Sequence, residues 1–404
     1  MKALMYGGGN IGRGFIGYLL SASGYHVSFV DVVETVVETL NRDGSYPIRI
    51  ISSNGHEDIR VENVSAVNGR DPDAVANAIA EADIMATAVG VNVLKFIIPN
   101  IVAGLRLRKE KGLGAFNIII CENLMDANKV IEGMLKEHFT EEEKAWFDEN
   151  VGLVEASIGR MVPVQTEEMK DGDPLRVCVE SYGFLPVDKD AFKGEIPEIR
   201  GMVPFSPFDF YLKRKLYVHN MGHATCAYLG DLLGLEYIYQ SSDVDEVYII
   251  VRGAMEESAE ALSKKYGVPL TDILSHVTDL LHRFTNAALK DTCMRVGGDP
   301  TRKLQPHDRL IGSSLLAMET GVTPAYIAIG AAAGLHRYIK EAEGLEQGAE
   351  SAAKVLAEVC RLTKDAPLFT LILDTYKEIL AGTSLAALRR RADAVRHATM
   401  KDVI

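Results

Sequence analysis

Cysteine is sparse in this chain and positive charge is outnumbered by negative, and each shortage narrows what the protein can be. Cys121, Cys178, Cys226, Cys293 and Cys360 are the five cysteines of 404 residues; none stands at zinc-site or disulfide-framework spacing, and four lie in apolar periodic segments. They predict buried, reduced thiols. With no C-x-x-C and no Cys/His/Glu set of recognisable zinc type, a metal is not expected at the reaction centre. The formal net charge of −13 argues against an extended surface for nucleic acid or an anionic membrane, and leaves room only for a local cationic pocket. No apolar stretch approaches membrane-span length, and Met1 runs directly into a strand-like segment with no signal peptide, so the expected compartment is the cytoplasm. Internal repeats and low-complexity tracts are missing as well. Small molecules are the expected partners.

What is present is apolar periodicity of two kinds. Hydrophobic residues make up 47% of the chain, enough for two domains with sizeable cores. The first half alternates short apolar runs with helical stretches, the pattern of an α/β domain with a doubly wound, mostly parallel sheet. Its opening segment KALMYG leads into Gly7, Gly9 and Gly12 at G-x-G-x-x-G spacing, with Asn10 and Ile11 between them, and then into a helical pattern. Gly7 permits the turn, Gly9 lets the backbone approach a pyrophosphate, and Gly12 lets the helix pack on its strand. The helix N-terminus itself favours negative charge. A lone match of this kind is weak. Here it follows a predicted strand, opens a helix and is answered by Asp31 at the end of a second strand, YHVSFVD, so a dinucleotide-binding Rossmann domain is expected over 1–195. A carboxylate at that place accepts from ribose hydroxyls and repels a 2'-phosphate, and no Arg or Lys follows among Val32, Val33 and Glu34; NAD is favoured over NADP. Thr87, Val89 and Gly90, at the end of a later strand, are further cofactor contacts, and Asn123 lies just past the strand ending at Cys121. Ligands of such sheets bind outside the carboxyl ends of the strands.

The segment SYGFLPVDKDAFKGEIPEI, with its prolines and charges, reads as the connection to a second domain over 196–404. From there apolar residues recur at spacings of three and four, which predicts a mostly α-helical domain. Ser206, Pro207 and Asp209 supply an N-cap, a first-position proline and a first-turn carboxylate for a helix running to about Gly230. On that helix Lys215, Asn220 and His223 fall at about 0, 140 and 80 degrees around the axis and share one broad face. Oxidising a secondary alcohol with NAD needs a base for the hydroxyl proton and donors for the oxygen as negative charge develops. A lysine whose charged form is disfavoured by desolvation and like charge can be that base. Asn220 and Asn123 are candidate donors. By spacing alone the plainer alternative stays ahead, with Lys213, Arg214 and Lys215 as a solvated basic face and His223 as a core histidine.

Taken in order, GGGNIGRGFIG with Asp31, then CENL, RMVP, K-x4-N-x2-H, GAMEES and RVGGDPTRKLQPHDRL run through nearly the whole chain. Together they resemble the polyol-specific long-chain dehydrogenases; the glycine loop alone would not, since it occurs across unrelated dehydrogenases. The resemblance implies a Rossmann domain followed by a helical one, and metal-free interconversion of a polyol and a ketose with NAD or NADP. It implies Lys215 as general base, Asn220 and Asn123 as oxyanion donors, and His223 as the partner that positions the substrate. The compact length, the extension NIGRGFIG, and CEN where several relatives acting on unphosphorylated polyols carry CDN, imply D-mannitol 1-phosphate and D-fructose 6-phosphate as the substrate pair.

A substrate phosphate needs cations, for which Arg295, Arg302, Lys303 and Arg309 are the candidates. Asp291, Asp299 and Asp308 alternate with them, so a structural charge network stands level with a phosphate site. Arg389, Arg390 and Arg391 read as a solvated helix face. Monomer and homodimer both stay open. The alternatives are a relative acting on an unphosphorylated polyol or hexonate and, from a different class, an NAD-binding regulator without turnover.

Overall fold

The computed structural model describes residues 1–401, with side chains through Arg396. Its backbone separates into two compact units, the first Met1–Asp209 and the second from Phe210 onward. The strands of the first are β1 Lys2–Tyr6, β2 His26–Asp31, β3 Ser45–Ser52, β4 Gly55–Glu62, β5 Val64–Asn68, β6 Ile84–Thr87, β7 Phe116–Ile120, β8 Val151–Glu155, β9 Val177–Val179, β10 Leu185–Asp188 and β11 Met202–Phe205. Six of them form one sheet in the order β5-β2-β1-β6-β7-β8, with every pairing parallel. That is the strand order of a Rossmann domain.

Both faces of this sheet are covered, which is why its strands read as continuous apolar runs. Along β1, Ala3 and Met5 enter one core while Leu4 and Tyr6 enter the other, the alternation a pleated strand imposes. Helices Pro72–Glu81, Leu94–Glu110 and Ala127–Lys136 cover the second face. The first face is closed by the helix that follows the glycine loop and by a separate three-stranded sheet, β4-β3-β9. In it β3 and β4 form an antiparallel hairpin. The Tyr46 hydroxyl, buried, donates to the carbonyl of Arg13 at 2.7 Å and ties this insertion to the first helix.

The first unit does not end at 195. Leu185–Asp188, inside the segment expected to connect the domains, is a strand paired in parallel with β11, so the chain stays with the first unit until that pair is complete. Ser206 is not the N-cap either: its hydroxyl donates to the Asp190 carboxylate, and the helix begins at Asp209.

The second unit is helical, as expected. Its principal helices are Met221–Leu232, Asp245–Tyr266, Leu270–Phe284, Ala325–Glu341, Pro367–Leu380 and Leu385–Lys401. They approach closely where residues are small: a side chain at Gly253 would meet the Tyr326 ring at 2.7 Å. Arg389 forms an ion pair with Glu246 at 2.7 Å, so this member of the C-terminal basic cluster clamps two helices together and does not merely face solvent. All five cysteines are free and buried. Among the described residues no helix is long and apolar enough to cross a membrane.

Candidate active site

The glycine loop has the form that a dinucleotide requires. Gly7, at φ +105°, turns the chain out of β1, and a side chain at Gly12 would fall on the Gly7 carbonyl oxygen. A side chain at Gly9, by contrast, would touch nothing within 4 Å, so the room there is left for a ligand and not for packing. Gly9 and Asn10 are exposed, Ile11 is half-buried, and the helix behind them opens with a π-helical stretch, Gly12–Gly17. Asp31 accepts from the Gly8 N–H and the Val33 N–H, both at 2.9 Å, which fixes its carboxylate beside the loop. Val32 and Val33 after it are exposed and uncharged at the side chain, so nothing there recruits a 2'-phosphate. The residues present fit NAD.

Of the other cofactor candidates, Val89 is half-buried and Gly90 exposed at the carboxyl end of β6, Gly90 with φ +89°. Thr87 is 1% exposed and ends β6; its carbonyl accepts from the Cys121 N–H. Asn123 is exposed just past β7. Its neighbour Glu122 went unnoticed in the sequence although it lies in the same CENL segment. Glu122 is buried, and its two carboxylate oxygens accept from the Val89 N–H at 2.9 Å and the Gly90 N–H at 2.8 Å.

In the second unit Lys215–Asn220 is a π-helical turn leading straight into Met221–Leu232. A regular α-helix would set Asn220 about 140 degrees from Lys215, whereas an i→i+5 turn brings the fifth residue back toward the first, and such turns concentrate at functional sites. The Lys215 residue keeps some solvent contact, but its ammonium lies deep. Burial, helped by the positive charge of Arg309, pushes it down to about 8, and among the described residues no carboxylate offsets these causes. Two of the three residues of the sequence pattern, Lys215 and Asn220, thus share a segment built on an unusual turn.

His223 is not a core histidine adrift among alanines. Its ring stacks on Phe284 at 4.8 Å between centroids and 12° between planes, and its Nε2 lies 3.3 Å from Asp291 Oδ2. Burial works to raise the Asp291 carboxyl, but the hydrogen bond and charge of His223, with Arg295, outweigh it and hold the group below the usual carboxylate range. Spacing could not have paired Asp291 with His223, because the two are joined only by the fold. His219, four residues before His223, completes an H-x-x-x-H spacing that the metal-free expectation passed over. It is buried, with its ring 6.0 Å from both His223 and Phe284, and burial holds it well below the ordinary histidine value. Among the described residues no three His, Cys, Asp or Glu side chains come together as a metal-binding group.

The four phosphate candidates divide. Arg295 is held by Asp291, its Nε donating at 2.7 Å. Lys303 is 5% exposed and donates inward to the carbonyls of Val296 and Gly298, and burial pushes it down to about 8. As placed it is a structural cation. Arg302 pairs with Asp299 at 2.9 Å and Asp308 at 3.0 Å, and Arg309 with Asp308 at 2.8 Å. Arg302 and Arg309 therefore share one carboxylate.

Comparison with known proteins places this arrangement. The family model described as the mannitol dehydrogenase Rossmann domain matches residues 1–201, and that of the mannitol dehydrogenase C-terminal domain matches residues 208–384. The chain belongs to the mannitol dehydrogenase family. It is 38% identical over 335 residues to a mannitol-1-phosphate 5-dehydrogenase of Brevibacillus brevis, covering 83% of this chain and 86% of that one. Among solved structures it is similar in fold to a D-sorbitol dehydrogenase in substrate-free form, with a TM-score of 0.80 at 16% identity over 96% of this chain and 94% of that one. A Pseudomonas fluorescens mannitol 2-dehydrogenase in ternary complex with NAD and D-mannitol gives 0.73 at 15% identity, over 97% and 94%. Membership makes this chain a dehydrogenase, as the ordered motifs implied, and NAD is the cofactor its loops accommodate.

Proposed function

We propose that this chain interconverts D-mannitol 1-phosphate and D-fructose 6-phosphate with NAD. The observation that carries the chemistry is Lys215, whose ammonium is pushed by burial and Arg309 to about 8, where a lysine can both take and return a proton near neutral pH. The observation that supports the substrate is the 38% identical relative named for mannitol 1-phosphate.

In the oxidative direction the neutral Lys215 Nζ takes the hydroxyl proton, the O–H electron pair becomes the second bond of the carbonyl, and the carbinol C–H bond breaks with its electron pair leaving on the hydrogen as hydride. NAD, when bound, supplies the acceptor for that hydride. Asn220 donates to the oxygen as its negative charge grows, which lowers the barrier most when the donor is already in place. His223 holds a substrate hydroxyl, its ring fixed by Phe284 and Asp291. In the reductive direction Lys215 returns the proton to the same oxygen. Of the four cations Arg302 and Arg309 are the phosphate partners in this reading, because a phosphate can replace the Asp308 carboxylate they share.

Initial rates of NAD reduction on mannitol 1-phosphate, mannitol, arabinitol and an aldonate, repeated with NADP, test the assignment. Strong preference for the phosphate ester with NAD is expected. Turnover only of an unphosphorylated compound would retain the lysine chemistry and overturn the substrate. NAD binding with no turnover of any of them would favour the regulator.

A further inference from the structure

Two carboxylates brace the cofactor loops of the first unit from opposite sides. Asp31, at the end of β2, holds the Gly8 N–H. Glu122, just past β7, holds the N–H groups of Val89 and Gly90, one on each oxygen. Between these anchors the loops touch: the Ala88 carbonyl lies against Gly7 so closely that a side chain at Gly7 would meet its oxygen at 2.5 Å. A continuous chain of contacts thus crosses the carboxyl edge of β7, β6, β1 and β2.

We propose that Glu122 is a positioning residue for NAD, setting the Val89–Gly90 turn and, through Ala88 and Gly7, the seat of the glycine loop. Its burial argues for this role, since a carboxylate withdrawn from water makes strong bonds only with donors aimed at both of its oxygens, and here two consecutive N–H groups meet it. Gly90 adds a reason. At φ +89° it belongs to a backbone region that glycine enters and leaves easily, so the turn needs an external restraint to stay in one form before the cofactor arrives. Asn123, the next residue, is carried by the same anchor. This inference concerns cofactor binding and does not depend on which polyol is turned over.

Substitution Glu122→Gln leaves one acceptor oxygen and turns an NH2 toward the other N–H; Glu122→Asp keeps the charge but withdraws it by one methylene. Titration calorimetry of NAD into the full chain is expected to give a Kd weaker by roughly tenfold or more for E122Q, the scale of one lost charge-assisted hydrogen bond, and an intermediate value for E122D. The melting temperature without NAD should fall by only a few degrees, the scale of one lost buried hydrogen bond, and KM for NAD should rise while KM for the polyol stays put. A folded E122Q whose Kd lies within about twofold of the parent would overturn the proposal, on the same tenfold scale. If E122Q does not fold, E122D is judged by the same titration. Failure of both to fold would make Glu122 a residue of stability alone, which overturns the proposal equally.

Discussion

The two units treat their chemically important groups in opposite ways. In the first, Asp31 and Glu122 give each carboxylate oxygen a backbone N–H, so the loops that meet the cofactor are held by satisfied hydrogen bonds. In the second, the Lys215 ammonium lies deep and is lowered by burial and by Arg309, with no carboxylate among the described residues offsetting them. The difference follows from the tasks. Binding a dinucleotide requires a cradle already in its final shape, whereas a general base near neutral pH requires a lysine whose charge is disfavoured. Hydrogen-bonded carboxylates hold the first; a desolvated lysine makes the second reactive.

Removing the reactive group is the sharpest way to break this contrast. Lys215→Ala should lower kcat by roughly 10²–10⁴, the usual worth of a positioned acid or base, while leaving calorimetric NAD affinity unchanged. Equal loss of both would mean that Lys215 supports the fold more than the reaction. Next in size is Asp291→Asn. It removes the charge that faces His223 Nε2, and a rise of roughly tenfold in KM for the polyol, with KM for NAD steady, is expected from losing one charge-assisted hydrogen bond.

Arg309→Met sharpens the comparison through pH. Arg309 is one of the two causes that lower Lys215, so its loss lets the lysine rise from about 8 toward 10.5. Less of the amine is then neutral at pH 7, kcat for oxidation falls there, and the rising limb of the pH profile moves to higher pH. A profile that stays in place would show that burial alone tunes Lys215. The smallest effect belongs to Arg295→Gln. Because Arg295, itself exposed, is spent on Asp291, KM for mannitol 1-phosphate should change by no more than about threefold, the scale of an ion pair whose cation faces solvent. A loss of tenfold or more would return Arg295 to the phosphate site.

The first unit was open to reading from the sequence because its signals are local. Three glycines, the strand before them and Asp31 stand within one βαβ segment, and the backbone geometry each requires is a property of the residue itself. The boundary was not legible, since β10 and β11 owe their pairing to each other across a gap of charged residues that resembles a linker. Glu122 escaped notice because nothing nearby in sequence reveals that it will accept N–H groups from a strand end more than thirty residues earlier.

In the second unit the pattern K-x4-N-x2-H named Lys215, Asn220 and His223, but an ordinary helix could not say how nearly they align; the π-helical turn decides that. The alternating Arg and Asp residues near 300 looked alike on paper. The fold separates them, turning Lys303 into the interior, fastening Arg295 to Asp291, and leaving Arg302 and Arg309 on one shared carboxylate.

What the sequence by itself determined is the set of short-range choices: where strands and helices form, where the chain must turn on glycine, and which residue types stand ready for a cofactor and for proton transfer. The tertiary structure alone decided which of those charges have partners. Hydrogen bonding and desolvation act between groups brought together from distant parts of the chain, and they fix the neutral tendency of Lys215, the setting of His223 and the bracing of the cofactor loop by Glu122.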